Sequence, residues 1–389
     1  MESCRNNRKK ILTLFGTRPE IIKLAPVIHQ LESRTDVFQS FNVTSSQHTN
    51  LLYPFVQLFG IRVDRDLKVM QPNQTPNQVC SAVLASLDPI LEEERPDLIL
   101  VQGDTTTAMA GALAGFHRRI PVGHVEAGLR SGNCYSPYPE EMNRRLISRI
   151  ATYHFAATPH NRAALLSEGV VEETVFVTGN PVVDSLQGLL KHSVKSAFLE
   201  DLLKATEGLK RIVLTTHRRE SFGHAMSENL KVIRNYIERY HDTALLFPVH
   251  PNPAVSGPAV SILSGHPRIH LLKPLNYDDF INLLSRAWLI VSDSGGVQEE
   301  APTLGKPLLI LRENTERPEV VESSVARLVG GSPKNLAAML EEVRQEGSWA
   351  NQIGEVENPF GQGDSGKRIV EIIAELLSEV RHERYRIAG

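Results

Sequence analysis

Three acidic residues stand where short apolar segments of this sequence end or where a helical segment begins. Asp104 follows Leu98–Gln102, Glu126 follows Val122–Val125, and Glu140 opens a helix-like stretch. Carboxylates placed around one carbon can take a proton from one face and return a proton to the other. Two of the three also have a structural interpretation, since Asp104 can cap a helix and Glu140 can complement a helix dipole.

A second group of residues suits a diphosphate ligand. Ser294 follows the apolar segment Trp288–Val291 and precedes two glycines, Gly295 and Gly296, at the start of a predicted helix. Backbone N–H groups and the helix dipole bind anions at such a position, and glycines let a phosphate approach the backbone closely. Glu300, about one helical turn further on, can accept hydrogen bonds from ribose hydroxyls. The alternative is a tight turn followed by a capped helix.

Cationic residues and a histidine lie at further strand ends. Arg18 follows the first apolar segment, where its guanidinium can bind an anion in bidentate fashion near a helix N-terminus. His217 and Arg218 follow Ile212–Thr215 and can hydrogen-bond a phosphate or assist its departure, and Arg317 adds another cation. The alternatives are a plain helix start at Arg18 and a structural role for His217.

The sequence predicts neither a metal nor a cofactor. A dinucleotide-binding loop would need glycines at the positions of Arg18 and Pro19, which argues against tightly bound NAD. Asp64-Arg65-Asp66 imitates a metal-binding Asp-x-Asp motif, but it lies in a polar stretch typical of a solvated surface. No histidine or cysteine pair in the sequence has the spacing of zinc ligands.

Short apolar strands alternate regularly with helical segments along the sequence, and these elements position the candidate residues. Because most of the strands are apolar throughout, we expect parallel sheets buried on both faces, and hence an α/β fold. Ligands of such sheets bind beyond the carboxyl ends of the strands, which is where the polar residues lie. The predicted strands are Ile11–Phe15, Phe38–Thr44, Leu98–Gln102, Val122–Val125, His154–Ala157, Val175–Thr178, Ile212–Thr215, Leu245–Val249, His270–Leu272, Trp288–Val291 and Leu308–Leu311.

Two domains are expected from the length of 389 residues and from a polar connection between about Asp184 and Lys210. A break at Asn358–Gly363 precedes a last amphipathic helix, Ser365–Val380. The predicted units are therefore 1–185, 186–364 and a final helical segment, 365–389.

The composition argues against several classes of partner. A formal net charge of −3 gives no indication of binding to nucleic acid or to a membrane surface, and no apolar run approaches the ~18 residues of a membrane span. The three cysteines, Cys4, Cys80 and Cys134, are far apart and form no disulfide pattern. We therefore expect a cytoplasmic protein.

Eight blocks of this sequence, spread from Gly16 to Arg317, occur in the same order in a known family. They read GTRPEIIKLAP, GDTTTA, HVEAGLRSG, PEEMNRR, VTGNPVVD, HRRESFG, DSGGVQEEAPTLGKP and ERPE. They closely resemble the non-hydrolysing UDP-N-acetylglucosamine 2-epimerases. The resemblance implies two Rossmann-like domains of the glycosyltransferase-B type, whose parallel sheets face a central cleft and whose last helix crosses back to the first domain. It also implies a homodimer.

For the activity, the resemblance implies reversible inversion of C2 in UDP-N-acetylglucosamine to give UDP-N-acetylmannosamine, without a cofactor. UDP leaves as the C2 proton is removed, which gives a 2-acetamidoglucal, and UDP then adds back as C2 is reprotonated from the other face. The alternatives are an epimerase of a UDP-diacetamido-uronate, a hydrolysing epimerase, a retaining glycosyltransferase of the same fold and a non-catalytic nucleotide sensor. The intact set of acidic residues argues against the last two.

The resemblance also implies roles for individual residues. Asp104, Glu126 and Glu140 match the catalytic carboxylates, and His217 matches the histidine that assists departure of UDP. Phe280 is placed to stack on uracil. The predicted contacts with substrate and UDP are Arg18, Lys23, His217, Arg218, Phe280, Ser294, Gly295, Gly296, Glu300 and Arg317.

One segment departs from the family pattern. Bacterial members bind a second UDP-N-acetylglucosamine as an allosteric activator, partly through a Gln-His-Arg-x-Met segment, and this chain has Thr49 and Leu51 in place of the arginine and methionine. The sequence therefore supports both a regulated and an unregulated enzyme. The residues retained for such an allosteric site are Gln47, His48, Gln71 and Gln74.

Overall fold

The protein consists of two compact units in a computed structural model that describes residues 8–47, 49–192, 195–217 and 223–387. The first unit comprises Met1–Ser185 together with Phe360–Gly389, and the second comprises Leu186–Pro359. Each unit is built around one parallel β-sheet. Within the described ranges, no helix has both the length and the apolar character needed to cross a membrane.

The first unit contains a seven-stranded sheet in the order β3-β2-β1-β4-β5-β6-β7. Its central strands form because most of their residues are apolar and buried on both faces, as in Ile11–Phe15 of β1 and in β4. The elements are β1 (Lys9–Phe15), α1 (Arg18–Ser33), β2 (Phe38–Thr44), α2 (Thr49–Leu58), β3 (Arg65–Asp66), α3 (Pro76–Glu94), β4 (Leu98–Gln102), α4 (Thr106–His117), β5 (Val122–Ala127), α5 (Glu140–Ile150), β6 (Tyr153–Ala156), α6 (Pro159–Ser167) and β7 (Val175–Val177).

The second unit contains a six-stranded parallel sheet in the order β10-β9-β8-β11-β12-β13. The helix α7 (Val182–His192) leads into it from the first unit. The elements that follow are α8 (Ala197–Ala205), β8 (Lys210–Thr215), α9 (His224–Arg239), β9 (Thr243–Pro248), α10 (Pro253–Leu263), β10 (Ile269–Leu272), α11 (Tyr277–Ser285), β11 (Leu289–Ser292), α12 (Gly295–Thr303), β12 (Leu308–Ile310), α13 (Pro318–Glu322), β13 (Ala326–Leu328) and α14 (Pro333–Arg344).

The last helix, α15 (Ser365–Ile387), belongs to the first unit, where it packs against α1. Its start is held by the carboxylate of Asp184, which accepts hydrogen bonds from the backbone N–H of Ser365 at 3.2 Å and of Gly366 at 2.9 Å. A Cβ atom at Gly366 would lie 2.8 Å from the carbonyl carbon of Pro26, so glycine permits this close approach of the two helices.

In both sheets the order in which the chain adds strands reverses at the centre. In the first unit β1 pairs with β2 on one side and with β4 on the other, and in the second unit β8 pairs with β9 and with β11. From the adjacent strands β1 and β4, the chain therefore continues toward opposite sides of the sheet, and it does the same from β8 and β11. Ligands of open α/β sheets bind beyond the strand ends at such a switch point.

The predicted strands are all present, with ends that differ by at most two residues. The structure adds two strands that the sequence did not indicate, Arg65–Asp66 and Ala326–Leu328, each at the edge of its sheet. Arg65 and Asp66 pair with Val43 and Thr44, in a stretch that we interpreted as solvated surface. A short, charged edge strand has no apolar pattern by which it can be predicted.

Candidate active site

The first cluster of predicted site residues lies at the switch point of the first sheet. Arg18 begins α1 directly after β1, and Asp104 follows β4, the neighbouring strand. The side chain of Arg18 is exposed, and its guanidinium carbon lies 5.7 Å from the centre of the Phe55 ring. The two residues therefore stand on either side of the crevice at which α/β sheets bind their ligands.

Glu126 occupies an irregular position in β5. Its φ angle is 63°, in the left-handed region, and the pairing of β5 with β6 shifts register between Val125 and Ala127. A non-glycine residue in this conformation costs on the order of 1 kcal/mol or more, and bulges of this kind re-aim a side chain next to functional sites. The bulge therefore directs one carboxylate at the end of a buried strand.

The carboxylate of Glu126 is buried and held by three neighbours. Lys23 of α1 forms an ion pair with its Oε1 atom, and the amide of Gln102 donates to Oε2. The amide nitrogen of Asn180 lies 3.5 Å from Oε1. Lys23 itself is also buried, and two charges in such a position require each other as partners.

Asp104 is anchored to α5. The guanidinium of Arg144 contacts Asp104 Oδ2 through Nε at 2.8 Å and through Nη2 at 2.7 Å, and the amide of Asn143 donates to the Asp104 carbonyl at 2.8 Å. The remaining nitrogen of Arg144 donates to Glu141, which is fully buried, at 3.1 Å. Because α5 begins at Glu140, these contacts bring Glu140 to the edge of the sheet that carries Asp104.

The second cluster of predicted site residues lies at the switch point of the second sheet. His217 follows β8, and Asp293 follows the neighbouring strand β11. The fully buried carboxylate of Asp293 accepts a hydrogen bond from the Thr216 hydroxyl at 2.8 Å and from the His217 backbone N–H at 3.1 Å. The ring of His250 is stacked on that of His217, with the ring centres 6.0 Å apart.

The glycine-rich segment starts α12 as expected. Ser294 is the N-cap in extended conformation, and Gly295 is the first helical residue. Gly296 is exposed, and apart from its chain neighbours and its own helix backbone the nearest atom to a Cβ built there is the Ser294 hydroxyl oxygen at 3.8 Å. The first turn of α12 is thus open to solvent at Gly296, as an anion-binding helix N-terminus requires.

Glu300 and Phe280 are connected through α11. The hydroxyl of Tyr277, the first residue of α11, donates to Glu300 Oε1 at 2.9 Å. Phe280 is half-buried and lies three residues further along the same helix, so it shares a face with Tyr277. The hydrogen bond fixes one oxygen of a carboxylate that is otherwise buried.

Arg317, a predicted nucleotide contact, is buried and ion-paired. Its Nη2 atom lies 2.5 Å from Glu299 Oε1, and its Nη1 donates to Glu316 at 3.2 Å. Glu299 is buried as well, on the second half of the motif that starts α12. The structure therefore places Arg317 in an ion-pair network that supports the α12 segment.

The segment predicted to bind a second ligand is only partly described, because His48 lies outside the described residues. Arg218, a predicted nucleotide contact, also lies outside them. Gln47 accepts a hydrogen bond from the Thr107 hydroxyl at 2.9 Å. Gln74 donates to the Val69 carbonyl at 2.8 Å and accepts from the backbone N–H of Gln71 at 2.8 Å. Since the backbone N–H of Val69 donates to the Ser45 carbonyl, the loops that carry Gln47 and Gln74 are neighbours.

Sequence reasoning missed the residues that hold the predicted ones in place. Gln102, Asn180, Arg144 and Asp293 all contact a candidate site residue, and they carry no pattern of their own. Arg144 lies in the PEEMNRR block and Asp293 in the DSGGVQEE block, so proximity to a motif was the one available signal.

The chain matches a family model described as UDP-N-acetylglucosamine 2-epimerase over residues 29–374. The UDP-N-acetylglucosamine 2-epimerase of Yersinia pestis is 42% identical to it over 369 residues, which cover 94% of this chain and 98% of that relative.

Solved structures agree with the sequence comparison. The UDP-N-acetylglucosamine 2-epimerase of Neisseria meningitidis, bound to UDP-N-acetylglucosamine, has a TM-score of 0.87 and 40% identity, and the match covers 94% of this chain and all (100%) of that one. MurG of Acinetobacter baumannii has a TM-score of 0.60 at 14% identity over 95% of this chain and 99% of that one, a likeness in fold alone. The predicted α/β fold with two parallel sheets, of the glycosyltransferase-B type, is confirmed.

Proposed function

Because the chain belongs to the UDP-N-acetylglucosamine 2-epimerase family, we propose that it interconverts UDP-N-acetylglucosamine and UDP-N-acetylmannosamine by inverting C2 of the sugar. The proposal rests on the acidic residues at the strand ends of the first unit. There Glu126 is held by Lys23, and Asp104 is held by Arg144 of the helix that begins at Glu140. Fixed carboxylates around one carbon are what proton removal and return on its two faces require.

The reaction is an elimination followed by a re-addition. The C2 hydrogen has no neighbouring carbonyl to acidify it, so its removal is coupled to cleavage of the C1–O bond to UDP. The electron pair of the C–H bond forms the C1=C2 double bond of 2-acetamidoglucal, and the β-phosphate oxygen keeps the pair of the C1–O bond. In the return step that oxygen adds to C1 and an acid protonates C2 on the opposite face. Substrate and product are isomers, so no oxidant or reductant is consumed.

In this proposal the first unit supplies the acid–base groups. Asp104, Glu126 and Glu140 provide the base on one face of C2 and the acid on the other. Lys23 lies beside the reacting sugar and compensates the buried charge of Glu126. The strained backbone at Glu126 supports this assignment, because bulges and left-handed residues concentrate where a side chain must be aimed.

The second unit supplies the nucleotide contacts. The diphosphate binds at the exposed N-terminus of α12, formed by Ser294, Gly295 and Gly296, where the helix dipole favours an anion. His217 assists departure of UDP. The remaining proposed contacts of this unit are Arg218 and Arg317 for charge, Glu300 for ribose and Phe280 for uracil, and Arg18 of the first unit is proposed to add a further positive charge.

The test is proton NMR of the purified protein with UDP-N-acetylglucosamine in deuterated buffer. We expect a mixture of the gluco and manno nucleotides, each carrying deuterium at C2, because protonation from solvent accompanies every return step. Release of free N-acetylmannosamine with an equal amount of UDP would identify a hydrolysing enzyme. An unchanged spectrum would contradict the proposal and direct attention to uronate nucleotides.

A second substrate molecule as activator is a separate proposal, supported by the neighbouring loops that carry Gln47 and Gln74. We expect a sigmoidal dependence of rate on substrate concentration that becomes hyperbolic in Gln74→Ala. A hyperbolic curve for the unmodified protein would contradict it.

A homodimer, expected from the family resemblance, is tested by sedimentation equilibrium.

A further inference from the structure

Glu20 is a fully buried carboxylate to which the proposed chemistry assigns no role. Its Oε2 atom accepts hydrogen bonds from the backbone N–H of Gly16 at 3.0 Å and from both the backbone N–H and the hydroxyl of Thr17 at 2.7 Å. Its Oε1 atom accepts a hydrogen bond from the hydroxyl of Thr105 at 2.7 Å. One carboxylate therefore connects the loop after β1 with the loop after β4.

The contact from the Thr17 backbone N–H to Oε2 is one half of a capping box at the start of α1, and the chain contains a second box for comparison. At the start of α3, the Gln78 side chain accepts from the Thr75 backbone N–H at 2.8 Å, and the Thr75 hydroxyl accepts from the Gln78 N–H at 3.3 Å. A neutral amide is thus sufficient to close such a box.

The capping box at the start of α1 uses the carboxyl group of Glu20, and burial disfavours the charged form of this group. Desolvation raises the pKa of Glu20 to about 7, against the opposing effect of the hydrogen bonds from Thr105, Thr17 and Gly16. Capping alone does not account for an acid at this position, since glutamine caps α3 without any such cost. The additional partner of Glu20 is Thr105.

The hydroxyl of Thr105 acts as a donor toward Glu20. Its hydroxyl oxygen already accepts the backbone N–H of Ala108 at 3.0 Å, as the N-cap of α4, and its hydrogen is directed to Glu20 Oε1. A glutamine at position 20 can offer its carbonyl oxygen to Gly16 and Thr17, but its NH₂ group would then face Thr105. The carboxylate accepts from both loops at once, whereas the amide would reverse the hydrogen bond to Thr105 and leave the Thr105 hydrogen without this acceptor.

We propose that Glu20 is a positioning residue for C2 epimerisation: its carboxylate fixes the loop that carries Arg18 to the N-cap of α4, which adjoins Asp104. The two loops flank the switch point between β1 and β4, so their separation sets the distance between Arg18 and Asp104. A displacement of ~1 Å at a catalytic group costs on the order of 10²-fold in rate. This inference rests on the proposed function.

The test compares Glu20→Gln with two substitutions at Thr105. Rates of deuterium incorporation at C2 give kcat, and calorimetric titration with UDP gives Kd. We expect Glu20→Gln and Thr105→Val each to lower kcat by about 10- to 100-fold, whereas Thr105→Ser, which keeps the hydroxyl, stays close to the unmodified protein. We expect the Kd for UDP to rise by a smaller factor than kcat falls in Glu20→Gln and in Thr105→Val, because Arg18 is the one proposed nucleotide contact on the affected loop and most of the others lie in the second unit. The double variant Glu20→Gln/Thr105→Val falls no further than either single variant.

A matched control separates positioning from loss of a helix cap. Ser196→Ala removes the hydroxyl that caps α8, which accepts the Leu199 N–H at 3.2 Å, and we expect it to lower Tm without changing kcat. If Glu20→Gln fails to fold, the comparison of Thr105→Val with Thr105→Ser decides. Wild-type kcat in Glu20→Gln or in Thr105→Val, or multiplicative losses in the double variant, would overturn the inference. Absence of C2 exchange in the unmodified protein would instead overturn the proposed function.

Discussion

The Nδ1 atom of His217 lies 3.5 Å from Asp293 Oδ1, and the backbone N–H of His217 donates to the same carboxylate. Asp293 is fully buried, whereas 46% of the His217 side chain is exposed. A buried carboxylate beside one ring nitrogen selects the tautomer with the proton on that nitrogen and fixes the ring orientation. Asp293 therefore orients the histidine that, in the proposed mechanism, acts on the leaving UDP.

We predict that Asp293→Asn lowers kcat for C2 exchange by about 100-fold, the scale of a misplaced acid–base group. An asparagine can place its NH₂ group against His217, which removes the acceptor and releases the ring. The Kd for UDP should change little, because the α12 amides remain. The measurement is the deuterium exchange rate together with UDP titration.

Asp242→Asn is the matched control for this prediction. Asp242 is a partly exposed aspartate of the same unit that binds Arg344 at 2.8 Å, away from the strand ends at β8 and β11. Its substitution should leave kcat unchanged. Equal losses in both variants would mean that Asp293 acts only through stability of the unit.

The buried pair of Lys23 and Glu126 leads to a prediction in which stability and activity diverge. Lys23→Met leaves the Glu126 carboxylate buried without its cation, and removal of one partner from such a pair typically costs about 3–5 kcal/mol. Glu126→Gln in the Lys23→Met background removes the second charge and should restore most of the free energy of unfolding. Activity should be lost in the single and double variants alike.

Urea unfolding and C2 exchange measure the two properties separately. Lys10→Met is the control, since Lys10 pairs with Glu94 at 2.7 Å on a more exposed surface and should cost at most about 1 kcal/mol. Recovery of activity in the double variant Lys23→Met/Glu126→Gln would contradict a role for the Glu126 carboxylate in proton transfer.

Arg144 leads to a prediction about geometry at constant charge. Its guanidinium holds Asp104 through two nitrogens and Glu141 through the third, and a lysine ammonium cannot reproduce this fork. Arg144→Lys should lower kcat by about 10-fold or more by releasing Asp104. Arg145→Lys on the same helix, where the arginine is more exposed, should retain near-normal exchange rates. Equal rates in the two variants would refute this role.

His124 leads to a prediction about pH. It is buried, its Nε2–H donates to the Gly103 carbonyl at 2.7 Å, and burial lowers its pKa to about 3 from 6.5. Between these values the unfolded chain binds a proton that the folded chain does not, so this contribution to stability is present above about pH 6.5 and is lost as pH falls. At about pH 5 the loss is about 2 kcal/mol relative to neutral pH.

The measurement is urea unfolding of the unmodified protein and of His124→Gln at about pH 8 and about pH 5. Glutamine can donate the same hydrogen bond without titrating, so the variant should lose less stability on acidification. The raised pKa of Glu20 acts with the opposite sign in this range, and it cancels in the comparison because both proteins contain Glu20. Parallel pH dependences in the two proteins would exclude His124 as the titrating group.

The strand ends could be predicted from sequence because apolar runs such as Leu98–Gln102 have one physical interpretation, a strand buried on both faces. The residues after those runs then fall at one edge of the sheet, as Asp104 does. The bulge at Glu126, with its φ of 63°, could not be predicted, since the partners that hold its side chain, Lys23 and Gln102, are distant in sequence. For the same reason Glu20, Arg144 and Asp293 became visible only through their partners.

Gly16, the first residue after β1, leads to a prediction about packing. A Cβ atom built there would lie 2.0 Å from the Ser45 hydroxyl oxygen and 2.7 Å from that of Thr107, which are themselves hydrogen-bonded at 2.8 Å. Gly16→Ala should therefore destabilise the protein by about 1–3 kcal/mol, and Ser45→Ala in the same chain should restore part of that loss.

Gly188 provides the matched control for this substitution. It lies within α7, and a Cβ atom built there meets no atom within 4 Å other than those of its chain neighbours and its own helix backbone. Gly188→Ala should stabilise the protein by about 0.5–1 kcal/mol, because alanine loses less backbone entropy in a helix. The same substitution thus has opposite signs at the two positions in urea unfolding. A stabilising effect at Gly16, or no recovery with Ser45→Ala, would mean that the backbone of Gly16 is not packed tightly against the Ser45–Thr107 pair.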